Sequence, residues 1–301
     1  MGQAFAGELC ARGIAFEAPT RAEADYTRSE VLTGLLRQLK PEFVINAAGY
    51  TGKPNVDACE DHRAETLLGN SLFPAMIAHV CGSAGVPFGH VSSGCIYSGA
   101  KIDGRVERDL TNPECQAIFQ NNPRAITGFR EDDEPNFTFR RPPCSFYSGS
   151  KALAEEALGA DGRQCYIWRL RIPFDRFDNS RNYLSKVLNY AKVYENINSL
   201  SHRGDFAAAC LDLWRLRAPF GVYNVTNPGF VSTRQVVAMI CRIRNPHRSF
   251  EYWAGDEEFY RCAAKTPRSN CVLDVSKLLS AGVQLRPVEE ALEDSLQNWV
   301  P

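Results

Sequence analysis

Helical and strand-like patterns of hydrophobic residues alternate along the first two thirds of the chain. Apolar residues at helical spacing predict helices at residues 3–12, 29–39, 64–84 and 148–158. Short apolar runs predict strands at residues 14–18, 43–46, 88–92 and 165–169. Parallel strands need long crossover connections, and a sheet covered by helices on both faces has strands that are apolar throughout. The pattern therefore predicts an α/β fold built on a parallel sheet.

The pattern changes after Arg171, where the predicted elements become short and mixed. Residues 205–217 are predicted to be helical and residues 221–226 to form a strand, and a tail of short helices begins at Ser232. Two interleaved domains are therefore predicted, with residues 1–172 and 205–226 in the first and residues 173–204 and 227–301 in the second. Residues 101–143 are rich in Asn, Pro, Arg and acidic side chains and are predicted to form a long surface loop.

Composition narrows the class of function. The 301 residues are 44% hydrophobic, which is enough for the cores of globular domains. Because 34 Lys and Arg residues balance 35 Asp and Glu residues, we expect neither nucleic acid nor a membrane as a partner. The eleven cysteines contain no CxxC pair, which argues against a disulfide framework and a thiolate zinc site, and we expect no metal. The N-terminus has no secretory pattern and no apolar stretch approaches about 20 residues, so we expect a cytoplasmic protein that acts on a small molecule.

Tyr147 and Lys151 lie one helical turn apart at the start of a predicted helix. A nearby cation is expected to lower the pKa of the phenol, so that Tyr147 exchanges a proton with a substrate oxygen near neutral pH. The alternative is a chance match of two common residue types. Ser93 favours the functional interpretation, because it follows a predicted strand and would present its hydroxyl at the carboxyl edge of the sheet, where ligands bind. A Ser, Tyr and Lys trio around one carbonyl oxygen is typical of hydride transfer with a nicotinamide cofactor.

With this trio and the turn NAAG at residues 46–49, the sequence resembles the extended short-chain dehydrogenase/reductases. Longer strings are similar to the nucleotide-sugar 3,5-epimerase/4-keto-reductases of rhamnose synthesis, in the dTDP-4-dehydrorhamnose reductase-like superfamily. These strings are NAAGYTGKPNVD at 46–57, SGCI at 93–96, GFRED at 128–132, PNF at 135–137, SFYS at 145–148, RN at 181–182, NVTNPG at 224–229 and PRSN at 267–270.

The resemblance implies a fold and an activity. The fold is a Rossmann-like, doubly wound parallel sheet, whose domain binds NADP or NAD, with a smaller C-terminal domain that binds the substrate. The activity is NAD(P)H-dependent reduction, with 3,5-epimerisation, of a nucleotide-linked 4-keto-6-deoxy sugar. The favoured product is UDP-rhamnose, and the expected partner is the nucleotide sugar; a homodimer is compatible with the family.

The same resemblance assigns roles to individual residues. Cys95 and Lys186 match the acid and base of epimerisation, although by default Cys95 would be a buried cysteine and Lys186 a solvated helix lysine. The residues expected to bind substrate are Arg181, Asn182 and Arg268, the last by bidentate contacts to a diphosphate. The residues expected to bind the cofactor are Gly2, Asn46, Ala47, Ala48, Gly49, Tyr147, Lys151 and Arg21. Arg21 is included because of its position after the predicted strand at 14–18, where a cation would meet a 2′-phosphate and favour NADPH over NADH; the alternative is a solvated loop arginine.

One part of the family pattern has no counterpart. The family begins with a strand and a GxxGxxG turn, whereas Gly2 aligns with the third glycine of that turn. We therefore expect the first strand and the glycine-rich turn to be missing. Two interpretations follow: the chain is an incomplete version of a longer protein, or it has lost catalysis. The alternative function is accordingly a non-catalytic nucleotide-binding or regulatory subunit on the same fold.

Overall fold

Helices and short strands alternate through the computed structural model, which describes residues 1–159 and 164–301. The helices are α1 (Gly2–Ala11), α2 (Ser29–Leu39), α3 (Ala58–Asp61), α4 (Arg63–Leu67), α5 (Phe73–Ala84), α6 (Pro113–Asn121), α7 (Phe146–Gly159), α8 (Tyr183–Asn189), α9 (Arg203–Arg215), α10 (Thr233–Ile243), α11 (Asp256–Cys262), α12 (Ser276–Ser280) and α13 (Val288–Gln297). The strands are β1 (Val44–Asn46), β2 (Phe88–Ser93), β3 (Ala100–Ile102), β4 (Arg105–Glu107), β5 (Ile126–Thr127), β6 (Cys165–Leu170), β7 (Pro173–Phe174), β8 (Lys192–Val193), β9 (Ile197–Asn198), β10 (Ser201–His202), β11 (Gly221–Asn224), β12 (Val231–Ser232) and β13 (Glu251–Tyr252).

The central sheet has the order β1-β2-β6-β11, and all three strand pairs are parallel. Helices α3 to α5 connect β1 to β2, α7 lies between β2 and β6, and α9 lies between β6 and β11. The α/β fold with a parallel sheet is thus confirmed. The register places Ser93, the last residue of β2, opposite Leu170 at the end of β6. The carboxyl ends of neighbouring strands therefore meet at one edge, where ligands bind in sheets of this kind.

Both faces of the sheet are covered, because side chains of β6 alternate between them. Tyr166 and Trp168 pack with Phe5 of α1 and Phe206 of α9 on one face. Ile167 packs with helices α2, α5 and α7 on the other face. Strand β6 is mostly apolar for this reason, as the sequence pattern indicated, whereas β2 also buries the polar side chains of His90, Ser92 and Ser93.

A second hydrophobic cluster lies apart from the sheet. Its buried members include Leu184 of α8, Val236 of α10 and Leu292 of α13. These residues fall within the predicted second domain, but Leu278 and Val283, from the same predicted range, pack with the sheet cluster instead. The exact division into domains stays a prediction.

The predicted strand at residues 14–18 is wrong. That segment has no regular structure, and the side chains of Ile14 and Phe16 are 47% and 39% exposed. A strand is stabilised by ladder hydrogen bonds, and within the described residues β1 is an edge strand with β2 as its sole neighbour. Within the described residues the run does not pair with the free edge of β1, so its backbone forms no ladder hydrogen bonds and its side chains stay in solvent.

The predicted loop at residues 101–143 is also wrong for much of its length. Strands β3, β4 and β5 form a small antiparallel sheet, and α6 follows β4. Leu110 and Ile126 are buried in a cluster with Ile197 and Val272. Strands of two or three residues are too short to show periodicity, which is why the sequence pattern missed them.

One helical segment, residues 63–84, has the length and mean hydropathy (1.2) of a membrane span, contrary to the expectation that no such stretch exists. Within its 18-residue apolar stretch, 44% is buried inside the protein. Its residues Ile77, Val80 and Cys81 pack against the sheet. Core helices of globular proteins pass the same test of length and composition.

Candidate active site

A cleft of about 2150 Å³ opens at the carboxyl edge of the sheet and extends towards the second hydrophobic cluster. Among the residues predicted for a site, those that line it are Gly2, Ala47, Ala48, Gly49, Ser93, Cys95, Tyr147, Lys151, Arg181, Lys186 and Arg268. Arg21, Asn46 and Asn182 do not line the cleft. Residues separated by up to 266 positions in the sequence are thus brought to one place.

Ser93 and Cys95 are positioned by the end of β2. The strand stops at Ser93, and a single turn of 3₁₀-helix, Gly94–Ile96, follows. The hydroxyl of Ser93 caps this turn by accepting a hydrogen bond from the backbone N–H of Cys95 at 3.3 Å. The turn therefore holds both side chains at the edge of the sheet.

Helix α7 positions Tyr147 and Lys151. The helix begins at Phe146, whose backbone N–H donates to Oε1 of Glu60 at 2.7 Å. One turn further on, Nζ of Lys151 donates to the backbone oxygen of Val91 in β2 at 3.2 Å. The helix is therefore fastened to the strand that carries Ser93.

Burial dominates the acid–base properties of this site. It raises the pKa of Tyr147, while the neighbouring Ser93 side chain acts in the opposite direction. It lowers the pKa of Lys151 to about 8 and raises the pKa of Cys95. The expectation that a nearby cation lowers the phenol pKa is wrong for this state of the protein, because desolvation outweighs the charges; burial likewise opposes formation of a thiolate at Cys95. Tyr147 is a neutral phenol, which suits a proton donor.

Asn46 supports the cofactor-side turn from behind, where it is 4% exposed. Its Oδ1 accepts from the backbone N–H of Ala48 at 3.1 Å, and its Nδ2 lies 3.0 Å from Nδ1 of His90. Burial, followed by the charge of Lys151, keeps the pKa of His90 well below its usual range, so the imidazole is neutral. Sequence analysis did not identify His90, which is one position of β2 away from Val91.

Helix α8 carries Lys186 into the cleft. Burial, and then the charges of Arg181 and Arg268, lower the pKa of Lys186. Asn182 caps the start of this helix: its Oδ1 accepts from the backbone N–H of Leu184 at 3.1 Å, and its Nδ2 donates to the backbone oxygen of Asp175 at 2.7 Å. Asn182 is 0% exposed, so the structure gives it a supporting role in place of the predicted substrate contact.

Arg268 lies in the cleft but already has an anionic partner. Its Nη1 and Nη2 donate to the two carboxylate oxygens of Asp57 at 2.7 and 2.8 Å. This is the bidentate geometry that a guanidinium also offers to phosphate. Diphosphate binding by Arg268 would therefore either use its remaining donors or exchange partners with Asp57.

Arg21 lies in an exposed turn that precedes α2, outside the cleft. The pKa of nearby Asp25 is lowered first by a hydrogen bond from Thr27 and only in a minor way by the charge of Arg21. No contact among the described residues joins Arg21 to the cleft. Its contact with a 2′-phosphate stays a prediction.

Glu60 is a supporting residue that the sequence analysis missed. Besides the N–H of Phe146, its Oε1 accepts from the hydroxyl of Thr266 at 2.8 Å. One carboxylate thus joins the start of α7 to the segment that carries Arg268. The sequence gives little signal for such a role, because the partners are 86 and 206 positions away.

Glu60→Ala should lower the free energy of unfolding by about 1–3 kcal/mol, since it leaves a partly buried N–H and a hydroxyl without their acceptor. Glu60→Gln keeps a carbonyl oxygen and should cost less. Urea denaturation of the three proteins measures both effects. Equal losses of unfolding free energy in Glu60→Ala and Glu60→Gln would show that the hydrogen-bond acceptor at this position does not stabilise the fold.

The buried ammonium of Lys151 should make stability depend on pH. Its folded-state pKa of about 8 lies below the ordinary 10.5, so the unfolded chain binds more protons between these values and the parent gains stability as pH rises through that window. Below pH 8 the cost of burying the charge is fully present. The variant Lys151→Met removes this cost. The difference in unfolding free energy between Lys151→Met and the unsubstituted protein, which favours the variant at pH 7, should shrink by about 2 kcal/mol at pH 9.5. Paired urea titrations at the two pH values measure this change, and a constant difference would contradict it.

Comparisons with known proteins place the chain in a family. The family model described as the RmlD substrate binding domain matches residues 1–300. A bifunctional dTDP-4-dehydrorhamnose 3,5-epimerase/dTDP-4-dehydrorhamnose reductase of Arabidopsis thaliana is 32% identical over 95% of this chain and 86% of its own length. A trifunctional UDP-glucose 4,6-dehydratase/UDP-4-keto-6-deoxy-D-glucose 3,5-epimerase/UDP-4-keto-L-rhamnose-reductase of the same plant is 33% identical over 95% of this chain, which spans 39% of that protein's length.

Solved structures share the fold. The UDP-rhamnose synthase of Acanthamoeba polyphaga mimivirus superposes with a TM-score of 0.80 at 21% identity, covering 99% of this chain and 95% of that one. The dTDP-4-dehydrorhamnose reductase of Bacillus anthracis, in complex with NADP, gives a TM-score of 0.75 at 18% identity, covering 99% and 94%. The resemblance found in the sequence is confirmed, and the chain belongs to the RmlD substrate-binding domain family.

Proposed function

We propose that this chain catalyses NADPH-dependent reduction of a nucleotide-linked 4-keto-6-deoxy sugar, preceded by 3,5-epimerisation, and so forms a nucleotide-linked rhamnose. The observation that carries the proposal is the cleft itself, which is lined by Ser93, Tyr147 and Lys151 together with Cys95 and Lys186. The names of the relatives, which include reductases and epimerases of this pathway, support the same reaction.

The start of α1 and the 47–49 turn suit a dinucleotide. Gly2 and Gln3 line the cleft, and the first turn of α1 has no acidic residue and no side-chain cap within the described residues. Its free N–H groups and helix dipole favour a pyrophosphate. Gly49 also lines the cleft and packs closely against the protein, because a Cβ there would lie 3.2 Å from Oδ1 of Asn70 and 3.5 Å from Nζ of Lys151. When bound, NADPH or NADH would supply the hydride for reduction.

Reduction requires a proton on the ketone oxygen as hydride reaches the carbon. The raised pKa of Tyr147 keeps its phenol protonated, so it gives this proton to the oxygen and recovers one from solvent. The hydroxyl of Ser93 lies beside it as a second hydrogen-bond donor. Lys151 fixes α7 against β2 through its bond to Val91 and adds a positive charge at the edge of the sheet.

Epimerisation requires a base to remove a proton next to the ketone and an acid to return one to the opposite face. The lowered pKa of Lys186 favours its neutral amine, so we assign it as the base. The raised pKa of Cys95 favours its thiol, so we assign it as the acid. The two residues belong to different parts of the fold, since Cys95 follows a strand of the sheet and Lys186 lies on a helix of the second hydrophobic cluster.

The nucleotide is proposed to be UDP, as the sequence resemblance favours UDP-rhamnose as the product. Arg181 and Arg268 bring two cations to one region of the cleft, which suits a diphosphate of either nucleotide. The cytoplasmic location also stays a proposal; it is supported by the cysteines, which form no disulfide anywhere in the described residues. The homodimer remains a prediction.

The function is tested by incubating the protein with NADPH and either UDP-4-keto-6-deoxyglucose or its dTDP counterpart. We expect NADPH to be consumed and a nucleotide-linked rhamnose to form, faster with the UDP sugar. Binding of NADPH or the nucleotide sugar without turnover of either sugar would instead support the regulatory subunit.

NADPH selectivity should depend on Arg21 if its guanidinium meets the 2′-phosphate. Arg21→Ala should then weaken NADPH binding about tenfold or more, the effect of one charge-assisted hydrogen bond, and leave NADH binding unchanged. Calorimetric titration of both cofactors measures this. An equal effect on the two cofactors would remove Arg21 from the site.

A further inference from the structure

Arg171 is a buried arginine at the carboxyl end of the sheet that neither the sequence motifs nor the proposed reaction has used. It directly follows Leu170, the last residue of β6 and the register partner of Ser93. Its side chain lines the cleft, yet the residue is only 6% exposed. Burial of a guanidinium is costly unless its surroundings hold it in place, so its position calls for a reason.

Several contacts hold this guanidinium behind the turn that carries Cys95. Nη2 donates to Oδ1 of Asn198 at 2.6 Å and to the backbone oxygen of Ser269. The same Oδ1 of Asn198 accepts from the backbone N–H of Cys271 at 2.9 Å. The thiol of Cys271 in turn donates to the backbone oxygen of Gly94, the residue before Cys95, at 3.3 Å.

The guanidinium is not fully satisfied by these contacts. Its Nε is buried and has no hydrogen-bond partner among the described residues, and Arg171 forms no ion pair with a carboxylate in the same part of the chain. The neighbouring arginine of β6, Arg169, differs in this respect, since it is paired with Glu155 at 2.7 Å. The positive charge of Arg171 is therefore fixed in place, and residues 1–159 and 164–301 supply no carboxylate that pairs with it.

We propose that Arg171 is a positioning residue for epimerisation, and that its fixed positive charge stabilises the thiolate that Cys95 becomes when it gives up its proton. The inference rests on the proposed function for its role in the reaction, but the coupling between the two side chains does not. Burial raises the pKa of Cys95, and among the cations that oppose this effect Arg171 stands ahead of Lys151. Lys151 loses its own charge near pH 8, whereas a guanidinium keeps its charge throughout.

The groups around Cys95 are neutral or cationic. Ser93 and Ser148 offer hydrogen bonds, Arg171 and Lys151 supply charge, and Tyr147 is a protonated phenol. Burial raises the pKa of the three neighbouring thiols, which belong to Cys59, Cys144 and Cys271. A thiolate formed here thus has a single permanent countercharge among these neighbours. Solvent returns a proton to the Cys95 thiolate, and Lys186 releases to solvent the proton that it takes from the sugar.

Alkylation of Cys95 in the protein without ligands tests the coupling directly, because only the thiolate reacts. The parent, Arg171→Gln and Arg171→Lys are treated with iodoacetamide over a range of pH, and the modification is located by mass spectrometry in the tryptic peptide 64–101. Below the pKa of the thiol, Arg171→Gln should slow alkylation of Cys95 about tenfold, the effect of removing one nearby opposite charge. Arg171→Lys should restore most of the rate.

The same peptide contains a control for unfolding. Cys81 is 0% exposed, and burial alone raises its pKa to about 12, so it should stay unmodified in every folded variant. Where Arg171→Gln exposes Cys81, Arg171→Met, which keeps the apolar stem, takes its place. An unchanged alkylation profile for Cys95, in a charge-removing variant that keeps Cys81 protected, would overturn the proposal.

Deuterium uptake from heavy water then tests the role in the reaction. With the keto sugar bound, Arg171→Gln should slow uptake at the epimerised carbons by a similar factor and shift its pH profile, and Arg171→Lys should recover it. If Arg171→Gln slows alkylation of Cys95 but the unsubstituted protein takes up no deuterium, epimerisation would be refuted. The electrostatic coupling between Arg171 and Cys95 would still stand. Uptake that does not respond to Arg171 would refute its role in the reaction.

Discussion

Tyr147→Phe should reduce the rate of ketone reduction by about 100-fold or more, the scale of general acid catalysis. The substitution removes one hydroxyl and keeps the ring that packs at the start of α7. Because burial raises the pKa of the phenol, Tyr147 is protonated near neutral pH and can donate its proton to the ketone oxygen. The rate is measured by single-turnover oxidation of NADPH with a keto sugar that is already epimerised.

Tyr26→Phe serves as the matched control. Tyr26 stacks on Phe73, outside the cleft, and its loss of a hydroxyl should leave the rate unchanged. A Tyr147→Phe protein that reduces the ketone at the parental rate would remove Tyr147 from its assigned role.

The second large effect is expected at Cys95 and Lys186. Cys95→Ala or Lys186→Ala should abolish deuterium uptake from heavy water at one or both epimerised carbons, since each removes one of the two groups that move these protons. Reduction of an already epimerised ketone should survive in both variants. The result is read by mass spectrometry and NMR of the recovered sugar.

Cys10→Ala provides the control for cysteine loss, because Cys10 is exposed and lies outside the cleft. Undiminished exchange in both active-site variants would rule out the pair. Loss of exchange and reduction together would instead indicate that the substitutions disturb the whole cleft.

The elements that the sequence predicts well are those with long apolar patterns. Strands β2 and β6, with six residues each, and the helix of Tyr147 and Lys151 were predictable from hydrophobic patterns, although β2 also buries the polar side chains of His90, Ser92 and Ser93. The run at residues 14–18 is also mostly apolar, yet within the described residues it pairs with no strand. The composition of a segment does not show which distant segment it pairs with.

Prediction of the site has a similar limit. Spacing and family motifs identified Ser93, Tyr147 and Lys151, whose positions on a strand end and a helix start are local properties. Arg171 and Glu60 act through hydrogen bonds to residues far away in the sequence, so no local pattern marks them. The directions of the pKa shifts were also out of reach, because they depend on how deeply the folded chain buries each group.

The central claim is that the cleft reduces a ketone by hydride transfer, and the label it leaves in the sugar tests this most directly. The protein is incubated with the UDP-linked keto sugar and NADPH that carries deuterium at its transferable position. The account predicts a rhamnose product with deuterium at C4 and an equal amount of oxidised cofactor. Recovery of the unreduced keto sugar and unoxidised NADPH, from a protein that binds both, would contradict it.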